Sequence, residues 1–308
     1  MKKIFIATSS FGTVDRKPIK FLESHSYKVI LNNKGRRLSS LEIIDELVDC
    51  VGVIAGTEKY DLNVLYKLNK LKVISRLGVG IDNIDLKAAE EKGIKLFRTE
   101  TTPALAVAEL TLGIMLDITR KISKHQDRLK NGIWQKEMGN LLQGKTLGII
   151  GLGTIGKTLV QLVQGFNFEI LAFDLFQDEK FAKEHKVTYC DINTLLTQSD
   201  IVSIHLNLSD ETNGLMNEEL INSLKPECIL INTSRGEILD EKALYTVLKE
   251  KKILGAGLDV FYDEPYSGPL TEFDNVVLTP HIGSYAKEIR IQMEIEAAEN
   301  LIKGLNGK

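Results

Sequence analysis

Residues 146–162 read TLGIIGLGTIGKTLVQL, and this stretch gives the clearest indication of the fold class. An apolar run of strand character, Thr146 to Ile150, leads into a turn that contains three glycines, and a helical pattern from Ile155 to Gln164 follows the turn. A strand, a glycine turn and a helix in this order form the start of a βαβ unit. The stretch therefore predicts a domain built on a parallel sheet.

The turn itself has the glycine spacing of a phosphate-binding loop. Gly151 allows the tight turn, Gly153 lets a pyrophosphate approach the backbone, and Gly156 lets the helix pack closely on the strand. The N–H groups of Thr154 and Ile155 begin the helix, where unpaired N–H groups attract anions. These five residues are predicted to bind the pyrophosphate of a dinucleotide. A turn that binds no dinucleotide stays the alternative for the glycines taken alone.

An acidic residue ends the next predicted strand, which covers Glu169 to Phe173. Asp174 lies at the distance where a carboxylate accepts hydrogen bonds from the hydroxyl groups of the adenosine ribose. The same carboxylate would repel a 2′-phosphate, so the sequence favours NAD over NADP as the cofactor. A solvated acid at a strand end is the alternative for Asp174 considered by itself.

Short β-branched runs alternate with helical patterns along both halves of the chain, which is typical of parallel sheets covered by helices. In the first half the predicted strands are Lys3–Ala7, Val29–Leu31, Val51–Ala55, Val73–Leu77 and Ile94–Phe97. In the second half they are Thr146–Ile150, Glu169–Phe173, Lys186–Tyr189, Ile201–His205, Cys228–Asn232, Leu254–Asp259 and Asn275–Leu278. The predicted fold class is α/β, with two doubly wound parallel-sheet domains, one flavodoxin-like and one a Rossmann dinucleotide-binding domain.

A long helical pattern from Ala104 to about Leu129 separates the two series of strands, and Pro103 stands near its start. A last helical pattern, Ala286 to Ile302, follows the final strand and is expected to pack back on the first domain. The predicted domains are residues 1–99 plus 284–308, and residues 100–283, which include the connecting helix.

Composition and charge exclude several classes of protein. The net charge of -3, from 39 Lys and Arg against 42 Asp and Glu, gives no field that would hold a nucleic acid. The longest apolar stretch, Ala104 to Met115, is interrupted by Glu109 and is too short to cross a bilayer. Cys50, Cys190 and Cys228 have neither disulfide nor metal-site spacing. We expect a cytoplasmic protein with no metal, nucleic acid or membrane as a partner.

Three ionisable residues follow successive strands of the second series. Arg235, Glu264 and His281 would converge at the carboxyl edge of a parallel sheet, where ligands bind in open α/β folds. Arg can clamp a carboxylate with two hydrogen bonds, and His can exchange a hydroxyl proton near neutral pH. Glu264 would orient the imidazole and stabilise its charged form. Each residue taken singly also fits a solvated or structural role.

Eight short segments carry a family resemblance, and they are Gly78–Asp85, Ala108–Leu110, Gly132–Trp134, Gly151–Gly156, Asn232–Gly236, Gly257–Val260, Glu264–Pro265 and Pro280–Gly283. With them, nearly the whole chain resembles the D-isomer-specific 2-hydroxyacid dehydrogenases, in their phosphoglycerate dehydrogenase-like branch. The resemblance implies an N-terminal substrate domain completed by the C-terminal helix, and a NAD-binding domain. It also implies a homodimer that uses the region of the connecting helix.

The resemblance assigns roles to individual residues. Arg235, Glu264 and His281 match the catalytic Arg, Glu and His of the family. Beyond the glycine turn and Asp174, the implied cofactor contacts are His205, Leu206, Thr233, Ser234, Asp259 and Gly283, of which Asp259 meets the nicotinamide carboxamide. The implied substrate contacts are Thr57, Arg76, Gly78, Val79, Gly80 and Arg235. Two departures, Asn207 in place of a usual Pro and Asn213 in place of a frequent His, leave the geometry of their loop open.

The expected reaction is NAD-dependent oxidation of 3-phosphoglycerate, a step of serine biosynthesis, by hydride transfer at C2. The candidate phosphate contacts are Arg76 and Lys59, although both residues also fit surface or structural roles. Reduction of hydroxypyruvate, glyoxylate or another 2-keto acid is the alternative within the family. A NAD(H)-sensing binding protein with the same fold is the alternative from another class.

Overall fold

The computed structural model describes residues 1–307. The chain divides into two compact units: the first is Met1–Thr102 with the segment that begins at Tyr285, and the second is Pro103–Ser284. Each unit contains one parallel sheet with helices, so the predicted α/β class with two doubly wound sheets is confirmed. Within the described residues, no helix combines the length and the apolar character needed to cross a membrane.

The strands and helices of residues 1–307 are numbered in chain order. The strands are β1 (Lys3–Ile6), β2 (Lys28–Leu31), β3 (Cys50–Ala55), β4 (Val73–Arg76), β5 (Lys95–Arg98), β6 (Thr146–Ile150), β7 (Glu169–Phe173), β8 (Val187–Tyr189), β9 (Ile201–Ile204), β10 (Ile229–Asn232), β11 (Gly255–Leu258) and β12 (Val276–Leu278). The α-helices are α1 (Lys17–Ser24), α2 (Ser40–Leu47), α3 (Leu62–Lys67), α4 (Leu86–Glu91), α5 (Ala104–Arg120), α6 (Ile122–Lys130), α7 (Thr154–Leu162), α8 (Glu179–His185), α9 (Ile192–Gln198), α10 (Glu218–Asn222), α11 (Glu241–Lys249) and α12 (Lys287–Leu305).

The first unit has a five-stranded sheet in the order β2-β1-β3-β4-β5, which is the flavodoxin-like order. Side chains alternate across the interior strand β1: Ile4 faces α12, and Phe5 belongs to the cluster on the other face, with Ile43 of α2. Leu301 of α12 is fully buried in the first of these clusters. Burying a side chain of this kind contributes about 1.5–3 kcal/mol. The C-terminal helix is therefore part of the core of the first unit.

The second unit has a seven-stranded sheet in the order β12-β11-β10-β9-β6-β7-β8. The chain runs outward from β6 through β7 to β8, then returns to β9 on the other side of β6 and continues to β12. The order therefore reverses between β6 and β9, and ligands bind at the carboxyl ends of the strands at such a point. Helices α5 and α7 cover one face of this sheet, and α9 and α11 cover the other.

The prediction of a single helix from Ala104 to about Leu129 is wrong, because the chain forms two helices, α5 and α6. Lys121 lies between them in the left-handed conformation, with φ 55°. The Asp117 carboxylate accepts hydrogen bonds from the N–H (2.7 Å) and the hydroxyl (2.5 Å) of Ser123. A side chain that binds the N–H groups of the following turn competes with the helical pattern, which explains the break.

Candidate active site

The three glycines of the turn after β6 differ in their backbone conformation and in the atoms around them. Gly151 has φ +96°, and a Cβ there would lie 2.9 Å from the carbonyl of His205. At Gly156 a Cβ would lie 2.5 Å from the carbonyl oxygen of Gly151, so only glycine allows α7 to approach β6 this closely. Gly153 is exposed, and a Cβ there would meet no atom within 4 Å. A side chain is therefore excluded at Gly151 and Gly156, whereas the space beside Gly153 is open.

Helix α7 begins directly at this opening. Its N-cap residue is Gly153, which has no side chain to cap the first turn. The first turn contains Thr154, which is exposed, and Ile155, which is half-buried. The N–H groups and the positive end of the helix dipole at such a terminus favour an anion. This end of α7 has the donors that a pyrophosphate needs.

The carboxylate of Asp174 is held beside the turn by two backbone groups. The N–H of Leu152 donates to Asp174 Oδ2 over 2.7 Å, and the N–H of Phe176 donates to Oδ1 over 2.9 Å. A carboxylate oxygen can accept more than one hydrogen bond, so both oxygens keep acceptor sites for ribose hydroxyls. The turn, the helix start and this fixed acid together fit a dinucleotide.

The neighbouring strand β9 ends at a buried histidine. His205 Nε2 is 2.9 Å from the Ser203 hydroxyl, and His205 Nδ1 has no hydrogen-bond partner within residues 1–307. Burial lowers the pKa of His205 to about 4, so this imidazole is neutral near pH 7. Leu206 follows it half-buried, and the loop beyond is closed by the Thr212 hydroxyl, which donates to the carbonyl of Asn207 over 2.7 Å. Asn213 is exposed in that loop.

The loop after β10 is organised by Asn232, a residue that the sequence analysis did not single out. Its Oδ1 accepts hydrogen bonds from the N–H (3.0 Å) and the hydroxyl (2.8 Å) of Ser234, and its Nδ2 donates to the carbonyl of Arg235 over 2.8 Å. The Thr233 hydroxyl is 3.1 Å from that of Thr111 on α5. One buried amide therefore fixes the backbone that carries Arg235. A polar residue at the carboxyl end of a buried strand was the available signal.

Arg235 is half-buried, and its Nη1 donates to the carbonyl of Ser234 over 2.7 Å. The next residue, Gly236, packs against the Phe261–Tyr262 peptide so closely that a Cβ would collide with it. This contact joins the loop of Arg235 to the loop after β11. Phe261 lies in that second loop and donates its N–H to Glu264 Oε1 over 3.3 Å.

Glu264 and His281 form a hydrogen-bonded pair. The Nδ1 atom of His281 lies 3.0 Å from each of the two carboxylate oxygens of Glu264. The Glu264 side chain is 16% exposed and the His281 side chain is 31% exposed, so the carboxylate is the more protected partner while the ring reaches solvent. His281 has φ 55°, an uncommon conformation for a residue with a side chain. The structure thus places Arg235, Glu264 and His281 after the adjacent strands β10, β11 and β12.

Asp259 and Gly283, the two remaining candidates of the second unit, contact each other. The N–H of Gly283 donates to Asp259 Oδ2 over 2.8 Å, and Asp259 is 1% exposed. Burial raises the pKa of Asp259, although the Thr279 hydroxyl and nearby N–H groups act in the opposite direction. In residues 1–307, no group of three or more His, Cys, Asp or Glu side chains is arranged to hold a metal ion.

The candidate substrate residues of the first unit lie in two loops. Gly78 has φ +148° and packs against the guanidinium of Arg76. Arg76 is 7% exposed, and its Nη1 donates to the carbonyl of Leu77. Val79 is exposed and Gly80 is half-buried. Arg76 therefore lies under the Gly78 loop and supports its backbone.

The second of these loops follows β3 and contains Thr57, which is half-buried, and Lys59, which is exposed. Glu58 lies between them and is 3% exposed, with the N–H of Gly56 donating to its Oε2 over 2.8 Å. Burial raises the pKa of Glu58, while the N–H of Gly56 and the nearby Arg76 act to lower it. The amide of Asn83 donates to the carbonyls of Gly56 (3.1 Å) and Glu58 (2.6 Å) and ties the two loops together. Neither Glu58 nor Asn83 was predicted as a site residue.

Residues 112–283 match the family model described as D-isomer specific 2-hydroxyacid dehydrogenase, NAD binding domain. The chain belongs to this family. The resemblance inferred from the eight short segments is thereby confirmed, and NAD is the cofactor that the matched domain binds. The family is one of NAD-dependent 2-hydroxyacid dehydrogenases.

Three relatives show how far the similarity extends. The hydroxypyruvate reductase of Thermotoga maritima is 36% identical over 296 residues, which cover 92% of this chain and 96% of the relative. The D-3-phosphoglycerate dehydrogenase of Methanocaldococcus jannaschii is 39% identical over 276 residues, which cover 88% of this chain and 53% of the relative. The crystal structure of a phosphoglycerate oxidoreductase from Vibrio cholerae has a TM-score of 0.90, 27% identity and full coverage of both chains. The chain therefore spans about half the length of one of these relatives and nearly all of the other two.

The open space at Gly153 gives a test of the cofactor site. Gly153→Ala is expected to weaken NADH binding at least about tenfold, since a methyl group would stand where the second glycine lets the pyrophosphate approach. The melting temperature of the free protein should not fall, because that methyl group meets no protein atom within 4 Å. Fluorescence titration with NADH and thermal unfolding measure the two quantities.

Gly156→Ala is the matched comparison. Its Cβ would press on the carbonyl oxygen of Gly151, and overpacking of this kind costs about 1–3 kcal/mol, so this variant should also melt at a lower temperature. If Gly153→Ala binds NADH like the wild type, the pyrophosphate does not bind at this turn.

Proposed function

We propose that this chain catalyses NAD-dependent interconversion of a D-2-hydroxy acid and its 2-keto acid, with His281 as the acid and base. The observation that carries the proposal is the contact of His281 with Glu264, 3.0 Å from Nδ1 to each carboxylate oxygen. This pair lies at the carboxyl edge of the sheet whose first turn fits a dinucleotide. A histidine held by a carboxylate at such an edge suits proton exchange with a hydroxyl group.

The contact with Glu264 assigns a role to each nitrogen of the His281 ring. Because Nδ1 faces a carboxylate, it carries a hydrogen and donates it, which leaves Nε2 for the substrate oxygen. In oxidation, Nε2 of the neutral ring accepts the hydroxyl proton, and in reduction the charged ring returns it to the carbonyl oxygen. Glu264 stabilises the charged ring throughout. When NAD is bound, it would accept the hydride that leaves C2 of the hydroxy acid.

Arg235 is proposed to bind the carboxylate that every 2-hydroxy acid carries. Its guanidinium can donate two parallel hydrogen bonds to a carboxylate, which fixes the direction of the substrate as well as its position. The backbone of Arg235 is fixed by the Asn232 amide, so little ordering is needed when the substrate binds. In the first unit, Thr57, Gly78, Val79 and Gly80 remain proposed substrate contacts.

The proposed cofactor contacts divide by the part of NAD that they meet. Gly151, Gly153, Thr154, Ile155 and Gly156 are assigned to the pyrophosphate, and Asp174 to the adenosine ribose. Six further residues are assigned to the rest of the cofactor, namely His205, Leu206, Thr233, Ser234, Asp259 and Gly283. The negative charge of Asp174 makes NAD the preferred cofactor over NADP, because a 2′-phosphate would be repelled.

For the substrate, the geometry of the first unit favours an unphosphorylated 2-keto acid, such as hydroxypyruvate or glyoxylate, over 3-phosphoglycerate. A phosphate needs accessible cations, yet Arg76 is 7% exposed and donates to the carbonyl of Leu77. The Arg76 guanidinium also packs against Gly78, within the same loop as Leu77. Lys59 is an exposed cation in the loop after β3, so it is the residue that would contact the phosphate if the substrate were 3-phosphoglycerate of serine biosynthesis.

The test follows NADH absorbance with purified protein against 3-phosphoglycerate, hydroxypyruvate, glyoxylate, pyruvate and longer 2-keto acids. We expect hydroxypyruvate or glyoxylate to have a higher kcat/KM than 3-phosphoglycerate or its keto acid. A preference for the phosphorylated substrate would contradict this choice and make Lys59→Ala the next variant. NADH binding without turnover of any substrate would instead favour the NAD(H)-sensing protein.

We propose a homodimer, because the segment after α6 carries Ile133, Trp134, Met138 and Leu141, which are 50%, 82%, 90% and 69% exposed, and apolar patches of this kind mark interfaces. Sedimentation velocity tests the proposed homodimer, and a monomer at micromolar concentration would contradict it.

We also propose a cytoplasmic location, since the cysteines are free thiols, and cell fractionation tests this assignment.

A further inference from the structure

The loop between β12 and α12 is tied to a single buried aspartate. Asp259 Oδ1 accepts hydrogen bonds from the Thr279 hydroxyl over 2.6 Å and from the N–H of Ile282 over 2.8 Å. Asp259 Oδ2 accepts the N–H of Gly283 over 2.8 Å, and the backbone carbonyl of Asp259 accepts the N–H of His281 over 2.8 Å. One residue therefore receives a hydrogen bond from four of the five positions between 279 and 283.

This loop holds His281 in a conformation that the residue does not prefer. A left-handed φ of 55° is uncommon for residues with a Cβ, and such a conformation persists only where its surroundings enforce it. The N–H of His281 donates to the backbone carbonyls of Asp259 (2.8 Å) and Thr279 (3.0 Å). The Thr279 hydroxyl and the N–H of Ile282, on either side of the Pro280–His281 pair, donate to the Asp259 carboxylate. The same left-handed backbone directs the ring toward Glu264. The position of the imidazole thus depends on the hydrogen bonds of Asp259.

We propose that Thr279 is a positioning residue for proton transfer: its hydroxyl, through the Asp259 carboxylate, holds the backbone of His281 so that the ring stays hydrogen-bonded to Glu264. The inference rests on the proposed function, since it concerns the residue assigned there as acid and base. It adds to Asp259 a role that is independent of any contact with the nicotinamide. Thr279 itself touches neither the imidazole nor Glu264 in the hydrogen bonds of this loop.

The Thr279 hydroxyl is suited to this role for two reasons. It is the one side-chain donor among the three that reach the Asp259 carboxylate, so a side-chain substitution removes it and keeps the two backbone donors. A hydrogen bond to an ionised, buried acceptor is stronger than one between neutral groups, and its loss leaves a desolvated oxygen with one partner fewer. We expect the loop to relax toward an ordinary backbone conformation when this hydrogen bond is absent.

Thr279→Val removes the hydroxyl and keeps nearly the same volume and β-branched shape. At saturating NADH and keto acid we expect kcat to fall about 10- to 100-fold, as for a small misplacement of a catalytic group. The pH–rate profile should change in the same way as that of Glu264→Gln, because both variants weaken the contact between His281 and Glu264. Thr279→Ser retains the hydroxyl and should recover most of the activity.

An independent measurement follows the ring itself. With 13C-labelled histidine in the free protein, the His281 resonance, identified by its absence in His281→Asn, should shift in Thr279→Val. A wild-type pH profile and wild-type resonance in a folded Thr279→Val variant would overturn the inference. So would a loss of activity that is fully explained by weaker NADH binding, or one that Thr279→Ser does not recover. If the wild type has no dehydrogenase activity, the proposed function fails, and the resonance alone still decides whether Thr279 positions His281.

Discussion

His281→Ala is expected to lower turnover about 10²- to 10⁴-fold, the usual contribution of a positioned acid or base. NADH binding should persist, because the cofactor turn after β6 and the Asp174 carboxylate do not depend on the imidazole. Initial rates at saturating NADH and keto acid measure the first effect, and fluorescence titration with NADH measures the second. The loss should appear in kcat, since the proton moves in the transition state.

His25→Ala is the matched control for this variant. His25 is an exposed residue after α1 whose Nδ1 lies 2.8 Å from the carbonyl of Phe21, and it belongs to the first unit. Its replacement should leave kcat as in the wild type. Turnover of His281→Ala within a factor of about three of the wild type would show that another group transfers the proton.

Arg235→Gln is expected to lower kcat/KM for the keto acid about 10²- to 10³-fold, because a charged, bidentate partner of the substrate carboxylate is replaced by a neutral amide. The backbone of the loop should be retained, since the Asn232 side chain binds the carbonyl of residue 235 and not its side chain. Steady-state kinetics over a range of keto acid concentrations would measure the effect.

Arg235→Lys separates charge from geometry in the same position. Lysine keeps the positive charge but cannot form two parallel hydrogen bonds, so its kcat/KM should lie between that of the glutamine variant and that of the wild type. The affinity for NADH should be unchanged in both variants. Equal, near-normal kcat/KM values for both would mean that the substrate carboxylate binds elsewhere.

The sequence predicted the parts of the molecule whose chemistry repeats at fixed spacing. The glycine turn, the strand before it and the acid after the next strand are local features, and the structure places the Asp174 carboxylate beside the turn. Arg235, Glu264 and His281 were predicted from their places after successive strands, and the structure brings their loops together through the contact of Gly236 with the Phe261–Tyr262 peptide. Hydrophobic periodicity and strand order were sufficient to predict that these three residues follow successive strands.

Other features depend on contacts that no spacing reveals. The break at Lys121 is accompanied by the hydrogen bonds of Asp117 with Ser123, which a helical sequence period does not predict. The sequence presents Arg76 as a candidate phosphate contact, but whether an arginine faces solvent or supports its own loop is decided by tertiary packing. The clamp of Asp259 on Thr279 joins residues that are 20 positions apart. Such hydrogen bonds become visible only after the strands are placed side by side.

The order of β10, β11 and β12 in the sheet has a consequence for the size of the molecules that this edge can handle. Neighbouring strands are spaced by about 4.8 Å, so the strand that leads to Arg235 and the strand that leads to His281 stand about 10 Å apart. In the proposed function, this fixed separation sets the relative positions of the residues assigned to the carboxylate and to the carbonyl, the part that all 2-keto acids have in common. The part of the substrate beyond its carboxylate and carbonyl then lies outside this separation. Selectivity for substrate length could therefore change through residues elsewhere, while the spacing of these strands and the chemistry at their ends stay constant.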